Sequence, residues 1–221
     1  MSSQSDYQPP KVWKWDTENG GAFVKINRPT AGATHEKELP VGNHPLQLYS
    51  LATPNGVKVT IMLEELLALG YSDAEYDAWL CRIRDGDQFA SGFVEANPNS
   101  KIPALIDHSE GKKQRVFESG AILLYLAKKY NKFLDEKNYW EIVQWLFFQM
   151  AYVGPMLGQA HQYLFYNPGK SQFAEEKSKG YAKHIYEVIN KRLSNKDYIA
   201  GNYSIADISI WPWVARFERH Q

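Results

Sequence analysis

The 221-residue sequence holds a single cysteine, Cys81. One thiol excludes an intrachain disulfide and any multi-thiolate metal site, so redox chemistry in this chain has to borrow its sulfur. Lys plus Arg and Asp plus Glu both number 25. That balance points to neither nucleic acid nor an anionic membrane surface. There is no apolar run of about 18 residues, and the start, MSSQSDYQPP, lacks the basic and apolar regions of an export signal. A cytoplasmic location is therefore expected, with no membrane partner. The six histidines, at 35, 44, 108, 161, 184 and 220, are scattered without ligand spacing, and no metal is expected.

What is present is enough for a packed core: 44% of residues are hydrophobic and 14% aromatic. Residues 1–44 are rich in Gly, Pro, Asn and Thr without helical or strand periodicity and read as an extended arm. Trp13, Trp15, Phe23 and Ile26 favour an arm that wraps onto a surface over a disordered one. LQLYS (46–50) is strand-like, and VKVTIMLEELLALG (57–70) is a helix closed by Gly70. EYDAWLC (75–81) is a second strand, IPALID (102–107) a third, and RVFE (115–118) completes a hairpin. SGAILLYLAKKY (119–130) follows as a helix, with apolar residues at 122, 123, 126 and 130. The order β-α-β then β-β-α is thioredoxin-like.

Beyond Asn131 the strand signals stop. Helices are expected from Tyr139 to about Tyr152, with a break at Gly154-Pro155, and from about Ser171 to Leu193. In the latter Tyr181, Ile185, Val188 and Ile189 form a core-facing stripe. Ser204-x-x-Asp207 is a capping box, with Tyr203 and Ile208 as its hydrophobic staple. Three units result: an arm over 1–44, an α/β domain over 45–131 and an all-α domain over 138–221.

Three stretches could carry chemistry. Thr53-Pro54-Asn55-Gly56 turns the first strand into a helix, where a thioredoxin-like redox protein would carry Cys-x-x-Cys. In Asn99-Ser-Lys-Ile-Pro103, a cis Ile102-Pro103 bond would let Ile102 present its N–H and C=O to an extended peptide, while a strand-start proline with no ligand fits equally well. In Phe117-Glu118-Ser119-Gly120, Ser119 and the helix start suit a carboxylate and Glu118 an ammonium. Taken alone, Ser119 is a helix cap. The hairpin brings the second and third stretches to one sheet edge.

These stretches in order, with Ser204-Ile-Ala-Asp207, INRP and HEKELPVG in the arm and GPMLGQAHQYLFY, resemble the cytosolic glutathione transferase superfamily. The resemblance is strongest to its nu-class-like, YghU-type disulfide-bond reductases. It covers nearly the whole chain and implies a thioredoxin-like domain plus a helical domain, a homodimer, and glutathione as co-substrate. The reaction it implies is reduction of small disulfides; the alternatives are conjugation of glutathione to electrophiles, or glutathione binding without catalysis. Residue by residue, the resemblance implies that Ile102, beside Pro103, bonds the cysteinyl backbone and that Glu118 and Ser119 hold the γ-glutamyl end. Gln88 and Lys101 would reach the glycyl end or a second glutathione, Thr53 and Asn55 would face the sulfur, and Asn27 of the arm would close over the site. Relatives of this type continue past the position of Gln221, which implies a truncated chain.

A thiol of pKa near 8.5 is only about 3% thiolate at neutral pH. Thr53, Asn55 and the free N–H groups of the helix start could lower that pKa by roughly two units, about 2.7 kcal/mol. Tyr49 and Ser50, at the end of the first strand, are rivals for the role, and Tyr7 lies too far upstream. Cys81 reads as a buried, inert thiol. His161 reads as a structural histidine, with the domain cleft as its other possible place.

Overall fold

The computed structural model describes residues 8–16 and 21–220. Tyr7 and Gln221 lie outside the described residues, as do the other arm positions in 1–7 and 17–20.

Strand β1 (Leu46–Ser50) leads into α1 (Pro54–Ala68), β2 (Tyr76–Leu80), the short α2 (Ser91–Ala96), the hairpin β3 (Ala104–Asp107) and β4 (Gln114–Phe117), and α3 (Ser119–Tyr130). The sheet order is β2-β1-β3-β4. β2 runs parallel to β1, while β3 is antiparallel to both β1 and β4. A parallel step needs a crossover, which α1 supplies, and the β3–β4 hairpin closes the antiparallel half. β1 and β3 are central and buried on both faces. Their alternation sends Leu46, Leu48 and Leu105 into the main core with Val59, Met62 and Leu63 of α1 and Ile122, Leu123 and Leu126 of α3. Tyr49, Ala104 and Ile106 turn to the opposite face and join Phe93 and Cys81 in a smaller cluster.

Local signals set the ends of α1. The helix begins at Pro54, three residues before the expected start, because proline suits a first turn that needs no N–H donor there. At the other end Gly70 takes φ +89°, its N–H reaches the Leu67 carbonyl at 2.9 Å and the Tyr71 N–H reaches Leu66 at 3.1 Å. Strand β3 starts at Ala104 and not at Ile102, since Pro103 has no N–H to give a ladder.

The helical half comprises α4 (Tyr139–Phe148), α5 (Gly154–Ala160), α6 (Gln172–Leu193) and α7 (Ile205–Val214). The break expected at Gly154-Pro155 does not occur. The backbone stays helical through a π turn at Gln149–Val153 into α5 and a second π turn at His161–Tyr166. The wider turn shifts the hydrogen-bond register, so Pro155 enters at the start of a new α segment where its missing N–H is harmless. On α6 the buried stripe is Ser178, Ala182, Ile185 and Ile189, with Tyr181 and Val188 only half-buried at its margin. The capping box forms: Asp207 Oδ2 accepts the Ser204 N–H at 3.0 Å, and Asp207 Oδ1 also accepts the Ile199 N–H at 2.8 Å.

The arm docks by its backbone. The Thr34 N–H reaches the Phe89 carbonyl at 2.9 Å, the Ser91 N–H reaches His35 at 2.9 Å and the Gly92 N–H reaches Lys37 at 3.0 Å. Phe23 meets Tyr166 edge-on at 4.6 Å. Trp13 and Trp15, expected to find a surface, stay exposed, because the docking pairs lie further along at 34–37. No helix among the described residues is long and apolar enough to cross a membrane.

Candidate functional site

The start of α1, the 97–103 loop, the β4–α3 junction and the 149–155 turn enclose a cleft of about 330 Å³ between the two halves. Of the residues singled out in the sequence, Asn55, Lys101, Ile102, Pro103, Glu118 and Ser119 all line it.

Thr53 caps α1 with extended backbone, φ −93° and ψ 165°, and its Oγ1 accepts the Gly56 N–H at 3.3 Å. Accepting through a lone pair leaves the hydroxyl proton to donate elsewhere. Thr53 does not itself line the cleft. Gly56 is required here, since a Cβ would lie 2.0 Å from the Leu51 carbonyl oxygen. Asn55 Oδ1 accepts the Trp213 indole N–H at 3.0 Å. With its oxygen engaged, the amide keeps its N–H donors for the cleft.

The Ile102–Pro103 bond is cis, and among the described residues neither the N–H nor the C=O of Ile102 has a partner. Buried Asn97 holds the loop that presents it. Its side chain accepts the Asn99 N–H at 2.9 Å and donates to the Lys101 carbonyl at 2.6 Å. Glu118 sits at φ +70°, a conformation costing a non-glycine residue on the order of 1 kcal/mol or more. Its exposed carboxylate accepts no hydrogen bond among the described residues. Ser119 opens α3 and is buried.

Beneath Ser119 lies a group the sequence reading missed. Lys58 of α1 is fully buried, its Nζ donating to Gln149 Oε1 at 2.6 Å and to Ser119 Oγ at 3.1 Å. Burial pushes this ammonium down to about 7, and the nearby Glu118 charge opposes that shift in part. A signal was available: Lys58, Met62 and Leu66 lie four residues apart on the buried face of α1, where a charge is rare unless paired or functional.

Two proposed ligand contacts fall elsewhere. Gln88 is buried and does not line the cleft; its Nε2 donates to the carbonyls of Ile83 at 3.1 Å and Ile26 at 3.4 Å, so it steadies the arm. Asn27 is an exposed arm residue whose Oδ1 accepts from Lys101 Nζ, which links the arm to the cleft wall.

Neither rival of Thr53 lines the cleft. The Tyr49 hydroxyl donates to the Pro40 carbonyl at 2.6 Å, and burial pushes it up to about 12. The Ser50 hydroxyl turns back to the Leu51 carbonyl at 3.5 Å. Cys81 is buried with Tyr49 on the opposite sheet face, and burial first, then Asp87, push its thiol up to about 12. His161 is also off the cleft: it stacks on Trp213 at 5.7 Å, and its Nε2 lies 2.9 Å from His220 Nε2. Among the described residues no three His, Cys, Asp or Glu side chains group to hold a metal ion.

The family model for the glutathione S-transferase N-terminal domain matches residues 44–128, which carry the sheet and most of these walls. The disulfide-bond oxidoreductase YghU of Escherichia coli strain K12 is 57% identical over 215 residues, spanning 96% of this chain and 74% of that protein. The chain belongs to the glutathione transferase family. Its fold is that family's, a thioredoxin-like N-terminal domain followed by an all-helical one. The solved glutathione transferase YghU of Streptococcus pneumoniae, complexed with glutathione, aligns with a TM-score of 0.91 at 48% identity, over 97% of this chain and 84% of that one. A glutathione transferase of Burkholderia graminis with two glutathione molecules bound per subunit aligns at 0.73 and 40% identity, over 79% and 73% of the two chains.

Proposed function

We propose that this chain binds glutathione in the cleft and uses its thiol to reduce small disulfides. One observation carries the reading: Asn55 lines the cleft at the start of α1 with its amide protons free among the described residues, two residues after the Thr53 cap, while the chain's only thiol is buried on the opposite sheet face. The sulfur therefore arrives on the substrate. In this reading Ile102 pairs with the cysteinyl backbone like an added strand, and Pro103 sets the angle of that edge. Glu118 takes the γ-glutamyl ammonium, and Ser119 with the α3 N-terminus takes its carboxylate. Lys101, braced by Asn27, faces the glycyl end, and Gln88 supports the arm from below.

Glutathione is a substrate here, two molecules per disulfide. A first thiolate attacks one sulfur of the substrate, the S–S bond breaks, a mixed disulfide forms and the leaving thiolate takes a proton. A second glutathione thiolate attacks the mixed disulfide, releasing the other thiol and oxidised glutathione. The substrate disulfide is reduced by two electrons and the two glutathiones are oxidised by two. The Burkholderia graminis relative, with two glutathiones per subunit, supports holding both at once. We extend the reading to a cytoplasmic homodimer, drawing on the glutathione pool there.

Met150, Pro155 and Trp213 give the cleft an apolar wall that would also suit an electrophile, so conjugation is the second reading. Turnover of hydroxyethyl disulfide and of chlorodinitrobenzene, each with glutathione, tests both. Disulfide reduction well above conjugation is expected. The reverse ranking selects the second reading, and tight glutathione binding with no turnover of either rejects both.

A further inference from the structure

Lys58 is fully buried, yet the atoms around its ammonium are neutral: Ser119 Oγ, Gln149 Oε1 and, at 3.6 Å, Met150 Sδ. It takes part in no ion pair among the described residues. A buried cation without a counter-charge is among the costlier arrangements a fold can hold. Ser119 is left incomplete in a matching way. Its oxygen accepts from Lys58, so its proton must go elsewhere, and the acceptor at hand is the Met150 thioether at 3.6 Å, a weak one. Gln149 Nε2 is likewise buried without a partner. Lys58, Ser119 and Gln149 all line the cleft. A cation, a hydroxyl proton and an amide proton therefore line one cleft, and the carboxylate present there, that of exposed Glu118, bonds none of them among the described residues.

We propose that Lys58 is the buried counter-charge for a ligand carboxylate seated at Ser119, acting through the Ser119 hydroxyl, so that binding completes an ion pair and takes up a proton. The proposal rests on the glutathione reading and assigns the carboxylate as the α-carboxylate of the γ-glutamyl group. Lys58 donates to Ser119, Ser119 donates to the carboxylate, and the charge-assisted bond replaces the thioether contact. The charged groups facing this wall are Glu118 from the β4–α3 junction and Lys101 from the 97–103 loop; the 149–155 turn and α7 contribute the neutral Gln149, Met150 and Trp213. Burial holds Lys58 near 7, so at neutral pH a good share of the free protein carries it uncharged, and an arriving anion draws the missing proton in.

The test is calorimetric titration with S-methylglutathione, which has no thiol to titrate, in two buffers of different ionisation enthalpy across neutral pH. Its counterpart with γ-aminobutyrate in place of γ-glutamate lacks only the α-carboxylate and serves as the second ligand. Wild type should take up about half a proton per S-methylglutathione near neutral pH, and its affinity should fall as pH rises. Lys58→Met should bind S-methylglutathione roughly tenfold to a hundredfold more weakly with no uptake, and should bind the decarboxylated ligand as wild type does. Uptake that persists in Lys58→Met, or a variant that loses both ligands equally, overturns the proposal. Should Lys58→Met not fold, wild type decides alone: no uptake, or equal uptake with the decarboxylated ligand, overturns it. If wild type binds S-methylglutathione at no pH, the glutathione reading itself has failed.

Discussion

Trp213 of α7 donates its indole N–H to the Asn55 side-chain oxygen at 3.0 Å, so a residue of the helical domain decides which end of the α1 amide is free for a ligand. The contact joins the two halves of the chain at the cleft. Trp213→Phe removes the donor while keeping most of the ring packed against His161. The Asn55 amide can then rotate and offer its oxygen, which repels a thiolate. We expect disulfide-reduction kcat to fall roughly tenfold, with a stability loss of about 1 kcal/mol. The KM for glutathione should change little. Because both changes act on one contact, Asn55→Ala in the Trp213→Phe background should cost far less than Asn55→Ala alone. Additive losses would show that Trp213 does not work through Asn55.

That contact also marks the limit of what could be read from the chain. The Gly70 closure of α1, the Ser204 capping box and the hairpin were legible because their signals lie close together in the chain. Asn55 was readable as a candidate donor, but its orientation is set from 158 positions away. Lys58 carried a local signal, a charge on the apolar face of α1, but its partners Ser119 and Gln149 lie 61 and 91 positions further on. The inward turn of the Gln88 amide, to the Ile83 carbonyl beside it and to Ile26 of the arm 62 positions back, could not be read from the chain either. The Gly154-Pro155 break failed because a π turn absorbs a proline without ending the helix.

In the proposed reading Thr53 both caps α1 and donates to the sulfur, and two separate readouts, stability and thiol pKa, report the two roles. Thr53→Ala loses the cap to the Gly56 N–H and should cost about 1 kcal/mol of stability. It also removes the hydroxyl proton, so the pKa of bound glutathione, followed by thiolate absorbance, should rise by about one unit. Turnover at neutral pH should fall roughly tenfold as the thiolate fraction drops. Thr53→Ser keeps both the cap and the donor and should resemble wild type. An unchanged thiol pKa in Thr53→Ala would remove Thr53 from the activating set.

Cys81 supplies the converse check. A thiol pushed up to about 12 is almost wholly protonated at neutral pH, and burial bars reagents from it. Native protein should react slowly with a thiol-specific disulfide reagent and quickly once unfolded. Cys81→Ala should retain full disulfide-reductase turnover, losing about 1 kcal/mol of stability at most for the vacated volume. Loss of turnover with the fold intact would mean that a protein thiol takes part in the exchange.

The His161–His220 pair sets an acid limit on the fold. Their Nε2 atoms lie 2.9 Å apart, so one ring donates and the other must accept, and the Tyr186 hydroxyl engages His220 Nδ1 at 2.7 Å. Burial is the main cause that pushes both imidazoles down to about 4, from 6.5 in the unfolded chain. The unfolded state therefore binds protons that the folded state refuses. The pair's contribution is full above pH 6.5 and is lost as pH falls through that value toward about 4. Allowing for coupling within the pair, the loss should be on the order of 2 kcal/mol. Asp107, which burial pushes up but hydrogen bonds from Ser109, Tyr125 and Lys129 hold down to about 2, acts chiefly at lower pH. Urea midpoints should drop between pH 6.5 and about 4 in wild type, and the drop should shrink in His161→Leu, which has one titrating ring fewer and no neighbour to share a proton with His220. An equal drop in both proteins would assign the acid sensitivity to carboxylates instead of the imidazole pair.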